Sequence, residues 1–168
     1  MGNIIFLLKV LIEGMGLGMI LIIICAFNIR NGAVGMVHLY HKDVQNRCIE
    51  MGITTSGQIK KRAMILKGCG FPVYVVYLLV MVYLVNGARG FWEGFWQCLV
   101  ILLILNLMDR LFIDEFWVGH TKAWTIPGTE DLKPYIDKKD KIIKWSFGTI
   151  GFVLIAAIMA GIMAVILK

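Results

Sequence analysis

The sequence predicts an all-α integral membrane protein, a four-transmembrane-helix bundle with long cytosolic connections. Three observations predict it. First, 59% of the 168 residues are hydrophobic and only 17% are charged, with a mean hydropathy of +0.78. Soluble domains carry about a quarter charged residues, and a chain this short cannot enclose so much apolar surface in water. Second, apolar stretches recur at the length a spanning helix needs, about 20 residues. Third, lysine and arginine gather in two of the three connections between those stretches. Together these exclude a soluble globular enzyme, a disordered chain and a disulfide-stapled secreted domain. One transmembrane domain, 1–168, is expected.

The spans are expected at 4–27, 66–86, 91–112 and 145–167. Lys9 and Glu13 alone interrupt the first. It lacks positive charge ahead of its apolar stretch, so it reads as a retained anchor and not a cleaved signal peptide. The second is short in its uncharged part, 71–85, and extends backwards through Met64, Ile65 and Leu66. A three-span arrangement, with the long connections on opposite sides, is therefore its rival. The third runs from Phe91 past Met108, and the fourth holds no charge. Helices are expected throughout, because the hydrocarbon core cannot satisfy free backbone groups and no barrel-type alternation is present.

Residues 28–70 carry Arg30, Lys42, Arg47, Lys60, Lys61, Arg62 and Lys67 against Asp43 and Glu50. Residues 109–144 carry Arg110, Lys122, Lys133, Lys138, Lys139, Lys141 and Lys144. Positive charge marks the cytosolic side, so both long connections face the cytosol, and both termini and the turn 86–90 face out. A bacterial plasma membrane is the expected location. The expected contacts are the bilayer and anionic lipid head groups, met by Lys60–Arg62 and Lys67; nucleic acid is not expected. The four cysteines, Cys25, Cys48, Cys69 and Cys98, form no C-x-x-C and are read as free thiols.

Small residues let membrane helices approach closely. Gly14 and Gly18 form one such pair, Ala157/Gly161 and Ala160/Ala164 two more. These stripes are expected to pack against helices, in the same chain or in a homo-oligomer. Phe91, Trp92, Phe95 and Trp96 at one end and Trp117, Trp124 and Trp145 at the other fit interfacial belts. Lys9 and Glu13, four apart, are expected to pair on one helix face, with an external mouth or proton-linked role as the functional alternative.

The densest polar stretch is 106–133. If the third span continues as a helix, Asn106, Arg110 and Asp114 share a face, with Asp109 and Glu115 beside it. Arg110 can hold a carboxylate or phosphate through parallel N–H groups. Gly119 to Thr121 ends the helix, and 126–129 is a turn in which Thr129 would cap a short helix with Pro134 in its first turn. His38 and His41 lie in the other long connection. The candidate site is therefore Asp109, Arg110, Asp114, Glu115 and His120, joined by His38 or His41. Acid–base work is one reading. A divalent metal held by His38, His41, His120 and Asp114 is a weaker one, since no dense ligand motif is present.

In layout the chain resembles the small four-helix membrane enzymes that act on glutathione or eicosanoids, which also keep long connections on one side. Their arginine- and histidine-containing motif in the second helix is not matched here. The C-terminal R-H-P signature of isoprenylcysteine-type methyltransferases, the Walker and dinucleotide glycine loops and the G-x-S-x-G elbow are also absent. The resemblance implies an architecture and no activity. Three functions follow from the residues: an interfacial enzyme acting on a lipid or amphipathic substrate, an oligomeric transporter or channel subunit using Lys9, Glu13 and Asp109, and a non-catalytic membrane partner or immunity-type protein. A cavity opening sideways favours the first, a continuous polar path the second, and a bare polar surface the third.

Overall fold

A computed structural model describes residues 2–167. Among them all regular structure is helical and no strand occurs. Helix α1 is Gly2–Ile29; a 3-10 segment, Ala33–Leu39, leads to the short α2, Lys42–Glu50. Helix α3, Ser56–Leu78, runs on as a wider π-wound segment, Leu79–Val85. Helix α4, Gly90–Leu107, continues in the same way through Met108–Val118. Two 3-10 turns, Lys122–Trp124 and Glu130–Leu132, precede α5, Lys138–Ile166. Four helices are thus long and apolar enough to cross a membrane: Asn3–Ile29, Ser56–Val85, Gly90–Val118 and Lys138–Ile166.

Three of these outrun the bounds expected from hydropathy, because polar residues also continue the helices. Helix α3 starts ten residues before 66. Thr55 and Gln58 close a capping box there, the Thr55 hydroxyl accepting from the Gln58 N–H and the Gln58 side chain from the Thr55 N–H, both at 3.3 Å. Lys60, Lys61, Arg62 and Lys67 therefore ride on a helix and not in a loop. Helix α5 starts at Lys138, where Asp137 Oδ1 accepts the Asp140 N–H at 2.7 Å. Helix α4 passes 112 to reach Val118.

Helix α4 lies between α1 and α5. The approach on the α1 side is close: a Cβ added to Gly14 would sit 2.7 Å from that of Ile104, and one on Gly18 would collide with the Met108 sulfur. On the α5 side, Gly148 abuts Asn106, whose Oδ1 would be 2.6 Å from an added Cβ, and Ala156 and Ala160 are fully buried. The packed stripe of α5 is therefore 148–156–160. Gly161, expected in that stripe, meets nothing within 4 Å, so the face in contact is rotated from the Ala157/Gly161 pair. Val10, Leu17, Leu78, Val82, Cys98, Ile101, Leu102 and Leu105 fill the core.

Helix α3 joins this core at one end only. Leu78, Val82 and Tyr83 are buried, and the Tyr77 hydroxyl donates to the Glu13 carbonyl at 2.7 Å. At its other end, Ile59 is buried and Arg62 Nη1 donates to the Val34 carbonyl at 2.7 Å. Most of the stretch between them is exposed or half-buried, so α3 stands off from the bundle there.

The two long connections dock on each other at one end of the bundle. Tyr40, Val44 and Cys48 from the first meet Trp124, Ile126 and Tyr135 from the second in a separate apolar cluster. The Tyr40 hydroxyl donates to the Trp124 carbonyl at 2.8 Å, and the Tyr40 and Tyr135 rings stack at 4.6 Å. Burial raises the Tyr40 phenol above its ordinary pKa, with Tyr135 adding to the effect. Arg47 bridges to Asp131 at 3.2 Å. This docking sets both long connections at the same end of the bundle, and residues 56–85 form one continuous helix of spanning length, where the three-span alternative would separate the connections. Trp124 is 1% exposed, a core residue of this cap and not part of a belt. Thr129 does not cap the turn after it: its hydroxyl bonds the Ile126 carbonyl and the Tyr135 hydroxyl, both at 2.8 Å. Pro134 lies beyond that turn, not in its first residues.

Candidate functional site

The stand-off of α3 leaves a cavity of about 740 Å³ between α1, α3, the π-wound end of α4 and the cap. Leu21, Ile24 and Cys25 of α1 and Leu66, Gly70, Phe71 and Tyr74 of α3 form two walls. Met36, Tyr40, Trp124 and Ile136 of the cap close the end. Ile24, Leu66 and Gly70 also line a second groove of about 390 Å³ along α1 and α3, so the α1–α3 gap borders both spaces. Among these apolar surfaces, Asp109, Asp114 and Lys67 bring charge to the cavity.

The winding of α4 places the carboxylates. Asp109, Ile113, Asp114 and Val118 all line the cavity, on a segment in which backbone bonds skip one residue more than in an α-helix, a form common at functional sites. Arg110 lies between the two acids, its Nη1 donating to Asp114 Oδ2 and its Nη2 to Asp109 Oδ2. Lys144 of α5 reaches Asp114 at 3.3 Å. Two carboxylates thus face two cations, a balanced set whose side chains are at most 28% exposed. Arg110 is consequently occupied by protein carboxylates, and the head-group role expected of it is not supported by this geometry. Lys67 forms no ion pair among the described residues.

The remaining expected residues lie elsewhere. Glu115 points away from the acids and pairs with Lys141. His120 sets Nδ1 2.8 Å from the Glu115 carbonyl, at an exposed helix end. His41 pairs with Asp140 at 3.0 Å, one turn of α5 before Lys144. His38 has both ring nitrogens buried without a partner and lines a different pocket; burial, then Lys67 and Arg62, lower its pKa from 6.5. No hydrogen bond or ion pair links any of the three histidines to Asp109 or Asp114 among the described residues. The four-residue metal set does not converge. Among the described residues the group that does is His41 with Asp137 and Asp140, whose ligand atoms lie within 4.8 Å of one another, but the Asp137 carboxylate is already capping α5 and His41 already holds Asp140.

A second polar knot sits at the opposite end. Lys9 does not pair with Glu13; its Nζ lies 3.4 Å from the Val85 carbonyl. Glu13, 8% exposed, accepts from Asn86 Nδ2 at 2.9 Å, and the same nitrogen donates to Gln97 at 3.0 Å. The sequence signal for this knot was two amides, Asn86 and Gln97, inside or beside apolar spans. Lys67 and Tyr74 had no such signal, since their role depends on where α3 stands. All four cysteines are free.

No family model, curated protein or solved structure matches this chain.

Proposed function

We propose that this chain is an integral membrane protein that draws a lipid or other amphipathic molecule sideways into the cavity beside α3, where Asp109 and Asp114 meet its polar part. The observation that carries the reading is the cavity: about 740 Å³, within the range of ligand sites, walled by apolar side chains, with Asp109 and Asp114 on the α4 side and Lys67 on the α3 side. A tail fits the apolar walls, and the α1–α3 gap supplies an entry that avoids water. Positive-inside counting puts the capped end in the cytosol. In this orientation Asp109 is the acid–base candidate, because Asp114 is shared by two cations while Asp109 meets only Arg110.

The apolar layer of Leu17, Ile101, Leu102 and Leu105 separates the Glu13 knot from the Asp109 cluster. A continuous polar path for transport is therefore not favoured.

Gly70→Leu tests the reading. An added Cβ there meets nothing within 4 Å, so the leucine fills cavity space without a clash and gains helix propensity of up to about 1 kcal/mol. Purified protein in detergent should enhance the fluorescence of cis-parinaric acid, a fatty-acid probe, saturably. Gly70→Leu should abolish this while leaving the melting temperature equal or higher. Equal probe binding by a stable Gly70→Leu protein would sink the proposal.

A further inference from the structure

We propose that the polar pocket between the 3-10 segment, α2 and the start of α3 binds a phosphate group, carried by an anionic lipid or by a small phosphorylated molecule. This pocket is separate from the apolar cavity, and the inference stands whatever that cavity holds. Its volume is about 230 Å³, below the range of drug-sized ligand sites but ample for one compact charged group.

The donors come from three elements. His38 lies in the last turn of the 3-10 segment, Lys42, Gln45 and Asn46 lie on one face of α2, and Ser56 and Lys60 share a face of α3. The acids of α2, Asp43 and Glu50, are not among the lining residues, and α3 has no acid from 56 to 85. The pocket therefore carries two ammonium groups and no carboxylate. Neither Lys42 nor Lys60 forms an ion pair among the described residues. Arg62 and Lys67 add positive potential at His38. Such a wall rejects cations and attracts anions.

His38 makes the demand specific. An imidazole always carries at least one N–H, and both His38 nitrogens are sealed from solvent without a partner. Buried polar groups in folded proteins are normally paired. A phosphate has oxygens for Lys42, Lys60 and the Ser56 hydroxyl at once, and a turn of the His38 ring towards the pocket would give its N–H an acceptor there as well. Its charge of up to about −2 near neutral pH matches the two lysines.

The test follows the histidine ring signals by NMR in the purified full chain, which has only three histidines. Probes are inorganic phosphate, glycerol 3-phosphate, dihexanoyl phosphatidic acid and, as the zwitterionic control, dihexanoyl phosphatidylcholine, all at matched ionic strength. We expect a saturable shift of one ring, assigned by its loss in His38→Gln. Lys42→Gln/Lys60→Gln should weaken binding about tenfold or more, the scale of losing charge-assisted hydrogen bonds. Lys61→Gln removes a neighbouring charge that does not line the pocket and should leave the affinity unchanged. Tighter binding of phosphatidic acid than of glycerol 3-phosphate identifies a lipid source; equal binding identifies a soluble one. The proposal is overturned if no phosphate probe gives a saturable shift, if phosphatidylcholine binds as well, or if Lys61→Gln weakens binding as much as the double variant.

Discussion

Arg110 is the residue on which the carboxylate cluster depends, and its replacement tests the geometry directly. It donates to Asp109 and Asp114 together, and its side chain is 15% exposed. Arg110→Gln leaves two acids facing Lys144 alone, so the balanced set becomes one negative charge in excess. Stranding a buried charge costs about 3–5 kcal/mol, and the partial exposure of Lys144 and Asp109 places the expected loss near the lower figure. The neighbouring variants should rank below it. Asp109→Asn leaves Arg110 paired with Asp114 and removes the more exposed of the two acids, at 25% against 10%, so a loss of about 1 kcal/mol is expected, the scale of one hydrogen bond. Asp114→Asn frees Lys144 towards solvent and leaves Arg110 on Asp109, and should fall between them. Reversible unfolding of the detergent-solubilised protein measures all three. A loss below about 1 kcal/mol for Arg110→Gln, the value of an exposed pair, or an Asp109→Asn variant as unstable as Arg110→Gln, refutes the reasoning.

Gly14→Leu must displace Ile104 and should destabilise the bundle by about 1–3 kcal/mol as overpacking does, whereas Gly161→Leu, with open space around it, should be neutral or better; equal melting temperatures for the two would contradict the packing described. His38 has a folded pKa below the 6.5 of the free side chain, so the unfolded chain binds the proton more readily and stability must fall as pH drops through 6.5 towards the folded value. In phosphate-free buffer the wild type should lose stability between pH 7 and 5 that His38→Gln keeps; parallel pH profiles would remove His38 from this role. Cysteines placed at the exposed positions Asn31 and Glu130, in a Cys69→Ser background, should resist impermeant maleimide on intact cells, and labelling from outside would reverse the proposed orientation.

Composition and hydropathy alone determined the class of the fold. Four apolar stretches of spanning length have few stable solutions other than helices, and local backbone satisfaction does not depend on which helix packs where. Spacing alone likewise put Arg110 four residues before Asp114, because that relation is internal to one helix. The closeness of Gly14 and Gly18 to α4 followed from side-chain size. What the sequence left open were relations between elements. Nothing in the order of residues says that Tyr40 stacks on Tyr135, which closes the two long connections into one cap and buries Trp124. Nothing says that α3 stands away from α1, which creates the cavity and makes Lys67 and Gly70 its lining. Lys9 and Glu13 were near enough to pair along α1, yet Asn86 and the Val85 carbonyl came from another helix and took them separately. His38 and His41, three residues apart, part for the same reason, His41 pairing with Asp140 while His38 is buried without a partner: periodicity specifies a face of one element, while what lies opposite that face is chosen by packing among all of them.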